Sequence, residues 1–259
     1  MAEAAPVRLE IADGVARIWL DRPHALNAVT VALAEALEQA LLTAGADPDV
    51  RVVLVRGADG NFCAGGDFEE VSRLRAEGPE ALRALFVAFG RACAAITTIS
   101  QPVVVAVEGM AMAGGFELLQ AADVALVRHD ARICDNHVNF GMVPGGGGSQ
   151  RLPRLVGRQR ALGHLLSGDR LSGVEAVEWG LAYRSYAADD FDREVALFVG
   201  KLAGRSAASV ATIKRLARAA VDTDLDDGLR AEMAAVVDHI SGEAGAASFA
   251  AFAGRKDEA

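Results

Sequence analysis

The stretch QPVVVAVEGMAMAGGFELLQAADVAL, residues 101–126, is the most informative part of this 259-residue sequence. Its apolar run VVVAV follows Pro102 and predicts a buried strand, and the small residues at 109–115 predict a turn. The pattern then predicts a helix at 116–121 and another strand at 122–127. Strand, turn, helix and strand in this order are typical of a layered α/β core.

The sequence before this stretch continues the alternation of strands and helices. Asp13-Gly14 is a strong hairpin dipeptide between two strand-like runs. The predicted elements before residue 101 are strands at 7–11, 15–20 and 52–55 and helices at 30–41 and 79–96. These intervals favour one α/β core.

The sequence after Gly157 has a different character, with amphipathic helical patterns and almost no strand signal. The clearest helices are predicted at 189–203, 206–221, 225–240 and 243–253. We therefore predict a core at 1–156 and a helical C-terminal region at 157–259.

Composition and charge narrow the function classes. The chain is 52% hydrophobic and 24% charged, with a formal net charge of −9 and a pI near 5.1. The negative charge argues against a nucleic acid or an anionic membrane as partner. Apolar runs are too short for a membrane span, no secretory leader pattern is recognised, and three scattered cysteines predict neither a disulfide framework nor a metal site. We expect a cytoplasmic enzyme.

Two glycine-rich turns are the first candidates for chemistry. They are NFCAGGD at 61–67 and GMAMAGGFE at 109–117, and each follows a predicted strand. Small residues let a ligand approach the backbone, where two N–H groups can hold a developing oxyanion. The alternative is that these turns serve packing only. A third run, the four glycines at 145–148, suggests a nucleotide loop but lacks the Gly-Lys-Ser/Thr that would support one.

Four segments together resemble the enoyl-CoA hydratase/isomerase, or crotonase, family. They are LDRPHALNAV (20–29), NFCAGGDFEE (61–70), the 101–126 stretch and ARICDNHVNFGMVPGGGGSQRLPRLVG (131–157). The resemblance implies an α/β fold of repeated ββα units with a C-terminal helical trimerisation region, forming a homotrimer or a hexamer. It also implies acyl-CoA thioester substrates and no cofactor beyond the coenzyme A of the substrate.

The same resemblance assigns residues for binding. Gly66, where the family often has alanine, and Gly114 match the two backbone donors that hold the thioester oxygen. The residues that match substrate or coenzyme A contacts are Arg22, Ala25, Ala64, Asp67, Phe68 and Arg255. For the two arginines, the alternative is a solvated surface charge.

Two side chains are candidates for acid/base chemistry. Glu117 matches the first catalytic glutamate of the family, and it stands three residues after Gly114 in a predicted helix. The alternative is that it only offsets the helix dipole. His137 stands where family hydratases have a second glutamate; histidine can act as an acid or base near neutral pH. Asp135 could orient it, and a purely structural histidine is the alternative.

We therefore expect hydration or dehydration of an α,β-unsaturated acyl-CoA through an oxyanion-stabilised enolate. Double-bond isomerisation, thioester hydrolysis and C–C cleavage use the same platform and stay open. A non-catalytic acyl-CoA-binding protein is the alternative from another class.

Overall fold

The computed structural model describes residues 5–243 and 245–246 and shows an α/β fold built on two sheets. The main sheet has the order β1-β2-β3-β4-β6-β8, antiparallel only between β1 and β2. Its strands are β1 (Val7–Ala12), β2 (Val15–Leu20), β3 (Val52–Gly57), β4 (Val103–Val107), β6 (Val124–Arg128) and β8 (Arg184–Tyr186). The second sheet pairs β5 (Met110–Met112) with β7 (Arg132–Cys134) in parallel.

Ten α-helices connect or cover these strands in the described part of the chain. They are α1 (Val31–Ala46), α2 (Phe68–Glu77), α3 (Pro79–Thr98), α4 (Gly114–Ala121), α5 (Gly148–Val156), α6 (Arg158–Ser167), α7 (Gly173–Glu178), α8 (Ala188–Ala203), α9 (Ala207–Ala219) and α10 (Leu225–Ser241). Thr30 caps α1 by accepting a hydrogen bond from the Leu33 N–H at 3.0 Å, as its predicted position requires. The last predicted helix, at 243–253, lies largely outside the described residues.

Apolar residues cover both faces of the main sheet. On one face, Ile18, Val53 and Val105 belong to a large cluster with the buried sides of α1 and α3. On the other face, Leu54 and Val104 belong to a smaller cluster with Phe191 of α8. The parallel strands are buried on both sides, which explains why 103–107 is a continuous apolar run.

Helix α3 is long and apolar enough, by composition alone, to cross a membrane, the one such helix among the described residues. Its apolar stripe, which includes Leu85, Phe89 and Ile96, is buried in the large cluster. The composition of α3 is therefore explained by its place in the core of this fold.

Three strands differ from the sequence prediction. The expected turn at 109–115 contains β5, the expected helix at 116–121 begins two residues earlier at Gly114, and β7 was not predicted. In the C-terminal region, the single described strand β8 pairs with β6 and completes the main sheet, which the almost strand-free prediction for this region did not include. All three missed strands have three residues, too few for an alternating pattern to be visible. The boundary at 156/157 stays a prediction.

Candidate active site

The two glycine-rich turns meet in the structure. Cys63 forms a parallel bridge with Ala111, and Val29 forms another with Gly66. The Cys63 N–H donates to the Met110 carbonyl at 2.9 Å, and the Met112 N–H donates back to the Cys63 carbonyl at 2.9 Å. The loop after β3 therefore lies alongside the strand that leads into α4.

Gly65 allows this close approach. Its φ is +107°, a conformation that side chains rarely adopt, and a Cβ there would lie 2.8 Å from the Cβ of Ala113. The same position lies 3.6 Å from the backbone nitrogen of Gly114. A side chain at position 65 would push apart the two segments that carry Gly66 and Gly114.

Ala113 has an unusual backbone conformation, with φ +45° and ψ −112°. The rotation about ψ of Ala113 sets the direction of the next N–H, which belongs to Gly114. The Ala113 N–H donates to the Cys134 carbonyl at 3.0 Å and so ties this residue to β7. Strain of this kind persists where the surroundings hold it, and it is frequent at functional sites.

Within the described residues, the N–H groups of Gly66 and Gly114 are both left without a hydrogen-bond acceptor. Among the described residues, no hydrogen bond has either group as its donor. Gly114 is the first residue of α4, where backbone N–H groups lack intrahelical partners. The expected pair of backbone donors is therefore assembled by the fold and has no acceptor within this part of the chain.

Glu117 lies in the first turn of α4 and is 2% exposed. Its Oε1 accepts hydrogen bonds from the N–H groups of Gly146 at 2.7 Å and Gly148 at 2.9 Å. Its Oε2 accepts none from the described residues. The side chain is thus held by a distant loop through one oxygen, which goes beyond what offsetting the dipole of its own helix requires.

The glycine run at 145–148 makes these two hydrogen bonds to Glu117 possible. A Cβ at Gly146 would lie 2.4 Å from the ring of Phe89 and 2.7 Å from Oε2 of Glu117. Only glycine lets the backbone come close enough to donate to the carboxylate. The run therefore binds a side chain of the protein itself, a role that the sequence alone did not indicate.

Burial raises the pKa of Glu117 above its ordinary value of 4.5. The hydrogen bond from Gly148, the charge of His137 and the hydrogen bond from Gly146 oppose this shift, since each favours the carboxylate.

The Cys63 and Cys134 thiols are buried, and burial raises their pKa to about 12 and about 11. Neither is suited to be a nucleophile.

His137 and Asp135 form a hydrogen-bonded pair after β7. The Nδ1–H of His137 donates to Oδ1 of Asp135 at 2.7 Å, and Asp135 is 1% exposed. Burial alone lowers the pKa of His137, but the hydrogen bond and charge of Asp135, together with the charge of Glu117, outweigh it. The net pKa of His137 lies above its ordinary value of 6.5. Nε2 of His137 has no hydrogen-bond partner among the described residues.

Arg22 and Asp67 are joined in an ion pair. Nη1 of Arg22 donates to Oδ2 of Asp67 at 2.9 Å and to the Ala28 carbonyl at 2.7 Å. Asp67 also caps α2, because its Oδ1 accepts from the Glu70 N–H at 3.1 Å. This pair therefore holds the Gly66 loop, a positioning role that was not predicted. Contact of Arg22 with a phosphate stays a prediction.

The remaining predicted contact residues are placed in different ways. Phe68 begins α2 and is 73% exposed, while Ala25 and Ala64 are half-buried beside the Gly66 loop. The Ala64 N–H donates to the Leu26 carbonyl at 3.0 Å, which joins the 20–29 and 61–70 segments. Arg255 lies outside the described residues.

Asn27, which was not predicted as a site residue, is fully buried with φ +57°. Its Nδ2 donates to the carbonyls of Ala58 and Asn61, and its Oδ1 accepts from the Arg22 N–H. It thereby ties two loops of the site together. Within 5–243 and 245–246, no three His, Cys, Asp or Glu side chains are grouped as metal ligands.

Two main-chain N–H groups without an acceptor among the described residues lie close to a buried carboxylate and a histidine, an arrangement suited to an enzyme that stabilises a developing oxyanion and transfers protons near it. The chain belongs to the enoyl-CoA hydratase/isomerase family, whose model matches residues 10–258. This finding confirms the resemblance drawn from the four sequence segments.

Individual relatives agree with the family. The chain is 33% identical to the mitochondrial enoyl-CoA hydratase of Pongo abelii over 218 residues, which are 84% of this chain and 73% of that protein. It is 32% identical to a probable enoyl-CoA hydratase of Mycobacterium bovis over 212 residues, 82% of this chain and 80% of that one. A crystal structure of an enoyl-CoA hydratase from Polaromonas sp. JS666 superposes with a TM-score of 0.92 at 29% identity, covering 96% and 97% of the two chains. The predicted fold is thereby confirmed.

Proposed function

We propose that this protein hydrates α,β-unsaturated acyl-CoA thioesters and dehydrates the corresponding 3-hydroxyacyl-CoA products. The observation that carries the proposal is the buried Glu117 held by Gly146 and Gly148, with His137 interacting electrostatically with it. The N–H groups of Gly66 and Gly114, which have no acceptor among the described residues, lie on the two adjacent segments that meet at Gly65 and Ala113. The family relationship supports the same assignment.

In the proposed reaction, the N–H groups of Gly66 and Gly114 hold the thioester oxygen while negative charge develops on it. A water molecule forms a bond to Cβ and gives its proton to Oε2 of Glu117. The Nε2–H of His137 then gives a proton to Cα, and the enolate returns to the thioester carbonyl. Proton exchange with solvent resets Glu117 to the carboxylate and His137 to the imidazolium.

The different surroundings of Glu117 and His137 support these roles. Two N–H donors stabilise the carboxylate form of Glu117, and Asp135 stabilises the imidazolium form of His137.

The segment after His137 exposes apolar side chains, with Phe140 at 69% and Val143 at 80%. We assign this apolar surface to the acyl part of the substrate.

The proposal is tested with a panel of enoyl-CoA esters, following the loss of absorbance of the conjugated thioester. We expect reversible formation of 3-hydroxyacyl-CoA. Release of the free coenzyme A thiol would support hydrolysis, and a shifted double bond would support isomerisation. Binding without turnover of any ester would support the non-catalytic alternative.

The rate is expected to depend on pH in a bell-shaped manner. Activity rises as Glu117 loses its proton, with a pKa above 4.5, and falls as His137 loses its proton, with a pKa above 6.5. A pH profile of kcat/KM checks this. The variant His137→Gln should lose the alkaline limb, and persistence of that limb in the variant would contradict the role of His137.

We also propose that α10 is covered by another copy of the chain in a homotrimer or a hexamer. The described residues of α9 and α10 include none that is buried, and one face of α10 is apolar. The exposed side chains of that face are Leu225, Leu229, Met233, Val236, Val237 and Ile240. Their spacing forms one stripe along the helix, as an interface between symmetric copies requires.

Light scattering should give three or six times the 27.0 kDa chain mass. Changing Leu229 and Met233 together to aspartate should lower that mass, because two charges would be buried in the interface. Leu197→Asp is the matched control, since Leu197 is 59% exposed on α8 and away from this stripe. A monomer mass for the unaltered protein would refute the proposed assembly.

A further inference from the structure

A second histidine, His164 of α6, lies behind the Asp135–His137 pair and is 2% exposed. Its Nε2 accepts a hydrogen bond from the main-chain N–H of Asp135 at 3.1 Å. An accepting Nε2 carries no proton, so the proton of this imidazole is on Nδ1 and the ring is neutral. Burial, which lowers the pKa of His164 against the opposing charges of Asp135 and Asp169, favours the same neutral form.

The hydrogen bond from the Asp135 N–H to His164 lies directly after the end of β7. Residues Arg132 to Cys134 form β7, and Asp135 follows directly. Among the described residues, the Asp135 N–H has no other acceptor. The carboxylate of the same residue holds His137, so the main-chain and side-chain contacts of Asp135 connect the two histidines.

The ring of His164 also contacts the helix that carries Glu117. Its centroid lies 5.2 Å from the ring of Phe116, which precedes Glu117, and 5.9 Å from the ring of Trp179. One side chain therefore contacts the elements that carry both proposed acid/base groups. It reaches them by packing on one side and by a hydrogen bond on the other.

Packing alone does not explain a histidine at this position. Nδ1 is buried and has no hydrogen-bond partner within the described residues, a cost that an apolar side chain of similar size would avoid. What histidine supplies there and an apolar side chain would not is the acceptor for the Asp135 N–H. The useful contact and the unsatisfied one are on opposite nitrogens of one ring.

We propose that His164 is a positioning residue for the reaction: it holds the backbone of Asp135 so that the Asp135 carboxylate keeps His137 oriented and protonated for transfer to Cα. The proposal rests on the proposed function, and it adds a group that contacts neither substrate nor reacting atoms. Two charged groups, Asp135 and Glu117, raise the pKa of His137. Of these two, only Asp135 is hydrogen-bonded to His164.

The first test is a titration of selectively labelled histidines by NMR, with the His137 signal assigned from its absence in His137→Gln. In His164→Leu the pKa of His137 should fall toward 6.5, because the loosened Asp135 no longer favours the imidazolium as strongly. In His164→Gln an amide oxygen can again accept the Asp135 N–H, and the pKa should return toward that of the unaltered protein. An unchanged His137 titration in His164→Leu would overturn the inference.

Kinetics give the second readout. In His164→Leu we expect kcat to fall by up to about tenfold, the scale of one lost hydrogen bond, with KM little changed. The alkaline limb of the pH profile should move to lower pH together with the NMR titration. A fall in kcat that leaves this limb in place would indicate a structural role only and would refute the proposal.

A third readout uses the unaltered protein and does not depend on how the variants fold. Nitrogen chemical shifts should show His164 as the neutral Nδ1–H form across the pH range of activity. A protonated Nε2 on His164 would overturn the inference directly. If His137 proves dispensable for turnover, the positioning role of His164 in the reaction is refuted, even where the NMR coupling between the two histidines holds. Absence of hydration in the unaltered protein, with the coupling intact, would instead refute the proposed function alone.

Discussion

Replacing Gly114 with proline is expected to reduce kcat by roughly 10²–10³-fold, the loss seen when one oxyanion donor is removed. Proline has no N–H, so the variant removes the donor at the start of α4. Proline suits the first position of a helix, but it also restricts the backbone of the preceding residue, here Ala113 with φ +45° and ψ −112°. Only a variant that melts like the unaltered protein therefore counts in this test. Turnover on an active enoyl-CoA ester measures the effect, and thermal melting checks the fold.

The matched control is Gly114→Ala, which adds a methyl group but keeps the N–H. A Cβ at this position would lie 3.5 Å from the nearest side-chain atom, on Val29, and 3.7 Å from the backbone of Gly65. These are ordinary contact distances, so turnover should stay close to that of the unaltered protein. Equal rates in a folded proline variant and the alanine variant would remove Gly114 from the oxyanion assignment.

Changing Glu117 to glutamine is expected to lower kcat by about 10²–10⁴-fold, the contribution of one general acid or base. Glutamine has nearly the same shape, and its amide oxygen can still accept from the N–H groups of Gly146 and Gly148. It cannot take the proton from water. The loss should therefore be seen in kcat, with little change in the affinity for a coenzyme A ester.

His137→Ala should lose turnover on the same scale if His137 is the second acid/base group. Both variants are measured on one active ester, with ester binding as the control for an intact site. Normal turnover in both would exclude the proposed acid/base roles of Glu117 and His137. Normal turnover in His137→Ala alone would leave Glu117 to handle both protons.

The convergence of the candidate site residues could largely be predicted from the sequence. Gly66, Gly114 and Glu117 lie in two short segments, and each segment comes shortly after a buried strand of the main sheet. Such segments converge because parallel strands end at the same edge of a sheet. The orientation of His137 by Asp135 could also be anticipated, since only one residue separates them and their side chains are chemically complementary.

The partners that hold these groups were not visible in the sequence. The Glu117 carboxylate accepts hydrogen bonds from a glycine run about thirty residues away along the chain. The N–H of Asp135, after β7, is bound by His164 of α6. Arg22 pairs with Asp67 across the site, although each was expected to contact the substrate. Such contacts depend on how distant segments pack against each other, and no local pattern records that.

The same distinction between local pattern and distant contacts applies to the fold. Long apolar runs and helical periodicity in the sequence determined the main strands and helices, because the spacing of apolar residues in each segment specifies which of its faces is buried. Only the tertiary structure decided the three-residue strands β5, β7 and β8, which are too short to specify themselves and exist because a neighbouring strand supplies their hydrogen bonds. It also decided the strained backbone at Ala113 and the burial of Glu117, because both depend on contacts that only packing creates.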